Sequence, residues 1–200
     1  MSVSVEQVRK LRELTGSGVM ECRKALNEAG GDQEKAAAIL REQGAAIQTS
    51  KEGRKAEEGC IMAYVHHGGK LAALIEVNCE SDFVARNEEF VAMSKELAMQ
   101  VAAMTPKWVS RDEVPADFLA SQEAEFRKQA EVAGKAAQSG EFVKDKVEQF
   151  YSQVCLLEQP YIRDSAVTVG SLITEKVAKF KEKMKVRRFV IYRLGGGEEA

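Results

Sequence analysis

Chemistry in this 200-residue chain would have to begin at a few places. The only histidines are the adjacent His66 and His67; neighbours on an extended strand point to opposite faces, so the two cannot readily share a metal. One buried and one solvated ring is the expectation, because a catalytic histidine still needs a nucleophile or acid partner. Four cysteines, Cys22, Cys60, Cys79 and Cys155, form no close pair of the zinc or redox type and read as reduced, partly buried thiols. Gly195-Gly196-Gly197 follows a strand-like run but leads into an acidic tail, with no Gly-Lys-Ser/Thr phosphate loop. Glu80 and Asp82 are the remaining candidates for an acid–base pair. They flank Ser81, a good helix N-cap, and carboxylates near a helix start are favoured by its dipole without any catalytic duty. No catalytic constellation emerges.

Composition bounds the remaining possibilities. With 29 basic and 31 acidic residues the net charge is -2, so no global field recommends nucleic acid or an anionic membrane as a partner. No apolar run approaches membrane-spanning length, and the N-terminus lacks a signal-peptide block, so a cytosolic protein is expected. No cofactor and no metal is expected either.

The elements that would position a site follow from local punctuation. Ser4 caps a first helix, with Gln7 completing a capping box and Gly16 beyond its end; Val5, Val8, Leu11 and Leu14 recur on it at near-helical spacing. A second helix starts near Ser17 or Gly18, carries Val19, Cys22, Leu26 and Ala29 on one side, and stops at Gly30-Gly31. Asp32 caps a third, with Ile39 and Leu40 inside and Gly44 beyond. Residues 1–47 thus form a three-helix module too small for a catalytic cleft, and the polar stretch 48–58 reads as a linker, partly helical at most.

Residues 59–200 read as an α+β domain. Cys60–His66 and Leu71–Val77 form an antiparallel hairpin across Gly68-Gly69, and 88–104 is an amphipathic helix through Phe90, Met93, Leu97, Val101 and Met104. Residues 116–157 return to helical patterns interrupted at Gly134 and Gly140, then Glu158–Asp164 is a loop at Pro160. Thr168–Lys185 looks helical, and 186–194 is a strand, giving a small antiparallel sheet of about three strands covered by helices. Asn87 is a capping residue, so Ser81–Arg86 makes about one helical turn, carrying Phe83 and Val84 past the end of a strand. Aromatic residues are more often core than contact, and local patterning leaves both readings of Phe83 open.

Three stretches then carry a resemblance. Leu14-Thr15-Gly16-Ser17-Gly18-Val19-Met20-Glu21-Cys22-Arg23-Lys24-Ala25-Leu26, Leu74–Ala85 with its Asn78-Cys79-Glu80-Ser81-Asp82-Phe83, and Glu158-Gln159-Pro160-Tyr161 stand in the same order as signatures of bacterial elongation factor Ts. The chain resembles that family, the guanine-nucleotide exchange factors of elongation factor Tu, over nearly its whole length. The resemblance implies a ubiquitin-associated-like bundle that docks on the Tu factor through positions matching Val19, Met20 and Arg23. Bundle core is an equally ordinary role for Val19, and the favoured one, but much less so for Met20.

The resemblance further implies that Ser81, Asp82, Phe83 and Val84 form an element that intrudes near the Tu factor's magnesium and phosphate site. The factor itself would bind no nucleotide and do no covalent chemistry. Arg23 stands where lysine is commoner, Ser81 where threonine is usual and Glu21 where aspartate is usual, each keeping the polar character. Short members complete their core as homodimers, so a homodimer or a 2:2 complex with the Tu factor is implied. Val190 occupies the position where some carry a joining cysteine, which implies non-covalent association. The competing reading is a non-catalytic adaptor whose three-helix module binds a ubiquitin-like or peptide partner; such an adaptor has no need of the Asp82-Phe83 element.

Overall fold

A computed structural model describes residues 3–132 and 139–196; the expected break at Gly134 and the last glycine of the tail, Gly197, lie outside them. The architecture is α+β. Helices α1 (Val5–Thr15), α2 (Val19–Glu28) and α3 (Gln33–Ser50) precede strands β1 (Glu58–Val65) and β2 (Leu71–Cys79). A one-turn helix α4 (Asp82–Ala85), then α5 (Glu88–Met104), α6 (Ala116–Val132) and α7 (Ser139–Val154) follow. The chain continues as β3 (Pro160–Tyr161), β4 (Asp164–Thr168), α8 (Val169–Phe180) and β5 (Lys185–Arg193). β1, β2 and β5 form a three-stranded sheet in that order, and β3 pairs antiparallel with β4.

Local chemistry accounts for most boundaries. The Ser4 hydroxyl accepts the Gln7 N–H while the Gln7 side chain accepts the Ser4 N–H, the reciprocal cap that the sequence predicts for α1. Asp32 accepts the N–H groups of Glu34 and Lys35 at the start of α3. Gly68 and Gly69 both take positive φ, +89° and +66°, as a tight hairpin between β1 and β2 requires. Val8, Leu11, Cys22, Leu26 and Leu40 close the core of the three-helix bundle, whereas Val5 and Leu14, although in register, face solvent.

Contacts divide the described residues into two compact units. The first holds residues up to 62, 76–94 and 171–187; the second holds 63–75, 95–170 and 188 onward. In the first unit, α3 does not stop at Gly44 as its glycine signal suggests. A Cβ on Gly44 would lie 3.3 Å from both the Thr174 and Ala178 side chains, so the missing side chain lets α3 run close to α8 and the helix continues to Ser50. The same polar stretch buries Lys51, which makes it something other than a solvated tether.

In the second unit, α6 and α7 are the two helices expected over 116–157, but Gly140 lies in the first turn of α7 and does not break it. Trp108, Phe118 and Phe150 cluster here, with the Trp108 and Phe118 rings 5.3 Å apart, edge to face. β3 lies inside the expected loop and β4 runs on from that loop's last residue, Asp164, to Thr168, where the sequence suggests a helix start; a two-residue strand beginning at proline is too short to show any periodicity. His66 and His67 are both exposed, against the expectation that one is buried, and His66 Nδ1 lies 3.1 Å from the Tyr64 hydroxyl.

Candidate functional site

The most exposed aromatic ring near the predicted site sits on the shortest α-helix among the described residues. Phe83, in α4, is 78% exposed, while Phe90, two turns along in α5, is fully buried. The difference arises at the cap. Ser81 holds an extended backbone and its hydroxyl accepts the Val84 N–H at 3.3 Å, which starts the turn; Asn87 accepts the Glu89 N–H at 2.9 Å, which ends it and starts α5. With only five residues between, Val84 (3% exposed) and Ala85 point inward and Asp82 and Phe83 outward. Val84 therefore anchors the turn and is closed to direct contact. Asp82 pairs with Arg86 at 2.8 Å on the surface.

Beneath the turn lies an ionic clamp. Glu182 accepts twice from Ser81, from its hydroxyl at 2.6 Å and from its N–H at 3.1 Å. In the opposite direction, Glu80 accepts the Lys183 N–H at 2.5 Å and one Arg54 N–H at 3.1 Å, with the Lys51 ammonium 3.6 Å away. Partial burial works to raise the Glu80 pKa, but the Lys183 N–H, Arg54 and Lys51 outweigh it, so this carboxyl sits below the usual glutamate range. Burial, reinforced by the Glu182 charge, pushes the Cys79 thiol up to about 11. Cys79 is a protonated packing residue whose Sγ approaches the Ser81 carbonyl at 3.2 Å.

The second predicted surface lies on α2. Met20 is 73% exposed and Arg23 is exposed; Val19 is 51% exposed, so the favoured core role for it does not hold. Val19 is the first residue of the helix and precedes the turn that packs on α1 and α3, where Cys22, Ala25 and Leu26 fill the interior. Glu21 closes back on the Gly18 N–H at 3.2 Å and receives the Lys181 ammonium at 2.6 Å, which holds its carboxyl below the usual range.

Sequence reading missed Glu182, Lys181 and Lys51. Lys51 lies in the polar stretch after the bundle, and Lys181 and Glu182 lie in what the sequence reads as the end of a helix, whereas α8 stops at Phe180; the partners of all three lie far along the chain. Among the described residues, no group of three or more His, Cys, Asp or Glu side chains could hold a metal. No helix there is long and apolar enough to cross a membrane. The surfaces suit protein contact: one apolar tooth on a clamped turn, and one apolar and basic patch on a regular helix.

Comparison with known proteins bears on what such surfaces contact. The family model described as elongation factor Ts matches residues 10–196. The chain is 49% identical over 198 residues to the elongation factor Ts of Desulforamulus reducens, covering 98% of this chain and 91% of that one. It is 46% identical over 196 residues to that of Fervidobacterium nodosum, covering 98% and 100%, and 46% identical over 198 residues to that of Geobacter metallireducens, covering 98% and 92%.

Proposed function

Because the chain belongs to the elongation factor Ts family, we propose that it binds elongation factor Tu carrying GDP in the bacterial cytoplasm and promotes exchange of GDP for GTP. The observation that carries this reading is Phe83, exposed on a turn too short to bend away and clamped from below. The ring and the Asp82 carboxylate disturb the Tu factor's magnesium and phosphate site, and nucleotide leaves. Val19, Met20 and Arg23 of the N-terminal module, residues 1–47, supply docking. The factor makes and breaks no covalent bond and holds no nucleotide of its own.

Energetics divide the labour. Burying one aromatic side chain is worth about 1.5–3 kcal/mol, whereas reversing a 1:99 preference takes about 5.5 kcal/mol of differential binding. Phe83 therefore cannot suffice, and docking contacts must hold the complex while the wedge discriminates between its states. By linkage, returning nucleotide weakens factor binding by the same amount, so exchange is reversible. Release of labelled GDP from purified Tu factor tests the reading: acceleration by this protein is expected, and none would overturn it.

A homodimer, or a 2:2 complex with the Tu factor, is the assembly we favour. In the second unit, Val65, Leu74, Val190 and Tyr192 leave apolar side chains exposed on β1, β2 and β5, and Leu74 does so between buried Ala73 and Ile75. A second copy would cover such surface without a covalent bond at Val190. Sedimentation of the free protein should give a dimer, and a monomer at high concentration would count against it.

A further inference from the structure

Three consecutive residues between α8 and β5 reach both contact elements of the first unit. The Lys181 ammonium binds Glu21, next to Met20, and Glu182 holds Ser81, two residues before Phe83. The Lys183 N–H binds Glu80 from the other side. We propose that Glu182 is a positioning residue for the exchange reaction: acting through Ser81, it sets the pose of the Phe83 wedge, and the Lys181–Lys183 turn splints that wedge to α2. The proposal rests on the exchange reading above.

The geometry at Ser81 is specific. A serine hydroxyl has one proton and two lone pairs. The hydroxyl donates to a Glu182 oxygen, which leaves its lone pairs to accept the Val84 N–H and start α4. The second carboxylate oxygen takes the Ser81 N–H, so the cap can neither rotate nor slide along the chain. Glu80 and Lys183 close the loop in the reverse sense, so the two segments exchange carboxylates across a pair of backbone N–H groups. The turn that delivers Glu182 is itself fixed: Lys181 adopts φ +57°, an uncommon left-handed conformation for a non-glycine residue, and its carbonyl accepts the buried Lys51 ammonium.

Relative strength decides which residue matters. The Lys181–Glu21 pair is about half exposed, and such surface pairs contribute little. The Glu182–Ser81 contact is a bidentate, charge-assisted, half-buried pair, the stronger class. Loss of Glu182 should therefore be felt at the wedge, while docking through Val19, Met20 and Arg23 persists.

The test uses the full chain and labelled GDP on purified Tu factor, with Glu182→Ala and the isosteric Glu182→Gln, which keeps one acceptor oxygen. For Glu182→Ala the maximal release rate should fall about tenfold, the size of one charge-assisted hydrogen bond. The half-saturating concentration should stay within about twofold of wild type. Amide exchange at Val84 should quicken in parallel, and Glu182→Gln should fall between. The Ser81→Ala/Glu182→Ala double variant should be no slower than the worse single, because both act at one cap. A wild-type maximal rate, or unchanged Val84 protection, in the folded variants would overturn the proposal; if Glu182→Ala fails to fold, Glu182→Gln decides. Should wild type itself fail to accelerate release, the exchange reading falls, and Val84 protection still shows separately whether Glu182 holds the turn.

Discussion

α2 and α4 both hold apolar side chains out to solvent, yet they are built in opposite ways. On α2, Val19, Met20 and Arg23 ride on a helix whose other face is ordinary bundle core, and one exposed ion pair ties it to Lys181. On α4, the exposed ring stands on a single turn that cannot form alone; it is held by an N-cap, a buried Val84 and two carboxylates received from or given to the Lys181–Lys183 turn. A patch on a stable helix can contribute affinity in every state of the partner. A ring pinned in one pose contributes only where the partner's shape admits it, which is what a difference between nucleotide states requires.

The comparison predicts separable defects. The largest is Phe83→Ala, which should lower the maximal GDP-release rate by about 10- to 100-fold, the equivalent of one lost aromatic burial. Its thermal stability should stay within about 0.5 kcal/mol of wild type because the ring is exposed. Normal binding to nucleotide-free Tu factor with a wild-type release rate would break the distinction. Met20→Ala should do the converse: a half-saturating concentration raised about tenfold in the same titration, with the maximal rate kept.

Ser81→Ala sharpens the role of the cap. It should cost about 1 kcal/mol in denaturant unfolding, and more at the wedge than a cap alone explains, because Glu182 then loses its donor. Ser81→Thr keeps the hydroxyl and should restore the release rate; failure to do so would argue for packing at that position over hydrogen bonding.

The smallest effect concerns acid. Glu80 titrates below its ordinary value of 4.5 when folded, so its contribution to stability is present above pH 4.5 and is lost as pH falls toward the lowered folded value. Glu80→Gln should flatten that limb of the melting-temperature profile below pH 4.5. An unchanged slope would mean that other carboxylates carry it, Glu89 first, since Lys176 and Lys179 depress its pKa in the same direction.

Much of the frame was legible because its signals are local. The Ser4 capping box, the Asp32 cap, the Gly68-Gly69 hairpin and the Ser81–Asn87 turn each use partners within a few residues, and each was found where the pattern put it. Two of the readings that failed concern what packs against a residue. Val19 was favoured for the core on helical spacing, but a residue in the first turn of a helix has little beneath it to cover it. Gly44 looked like a stop because glycine so often ends helices; here it admits a neighbouring helix that the sequence places 130 residues later.

What the sequence alone determined is therefore the order of the helices and of the sheet strands β1, β2 and β5, the turn that carries Phe83, and a likeness that runs through three stretches in register. Caps, tight turns and periodicity depend on atoms a few bonds apart, and these survive in a linear reading. Only the tertiary structure decided that Phe83 faces out and Val84 in, that Lys51 is buried, and that Glu182 grips Ser81 across 101 residues. Burial and ion pairing depend on what arrives from elsewhere in the chain. Charged residues carry no mark in sequence of the partner they will meet.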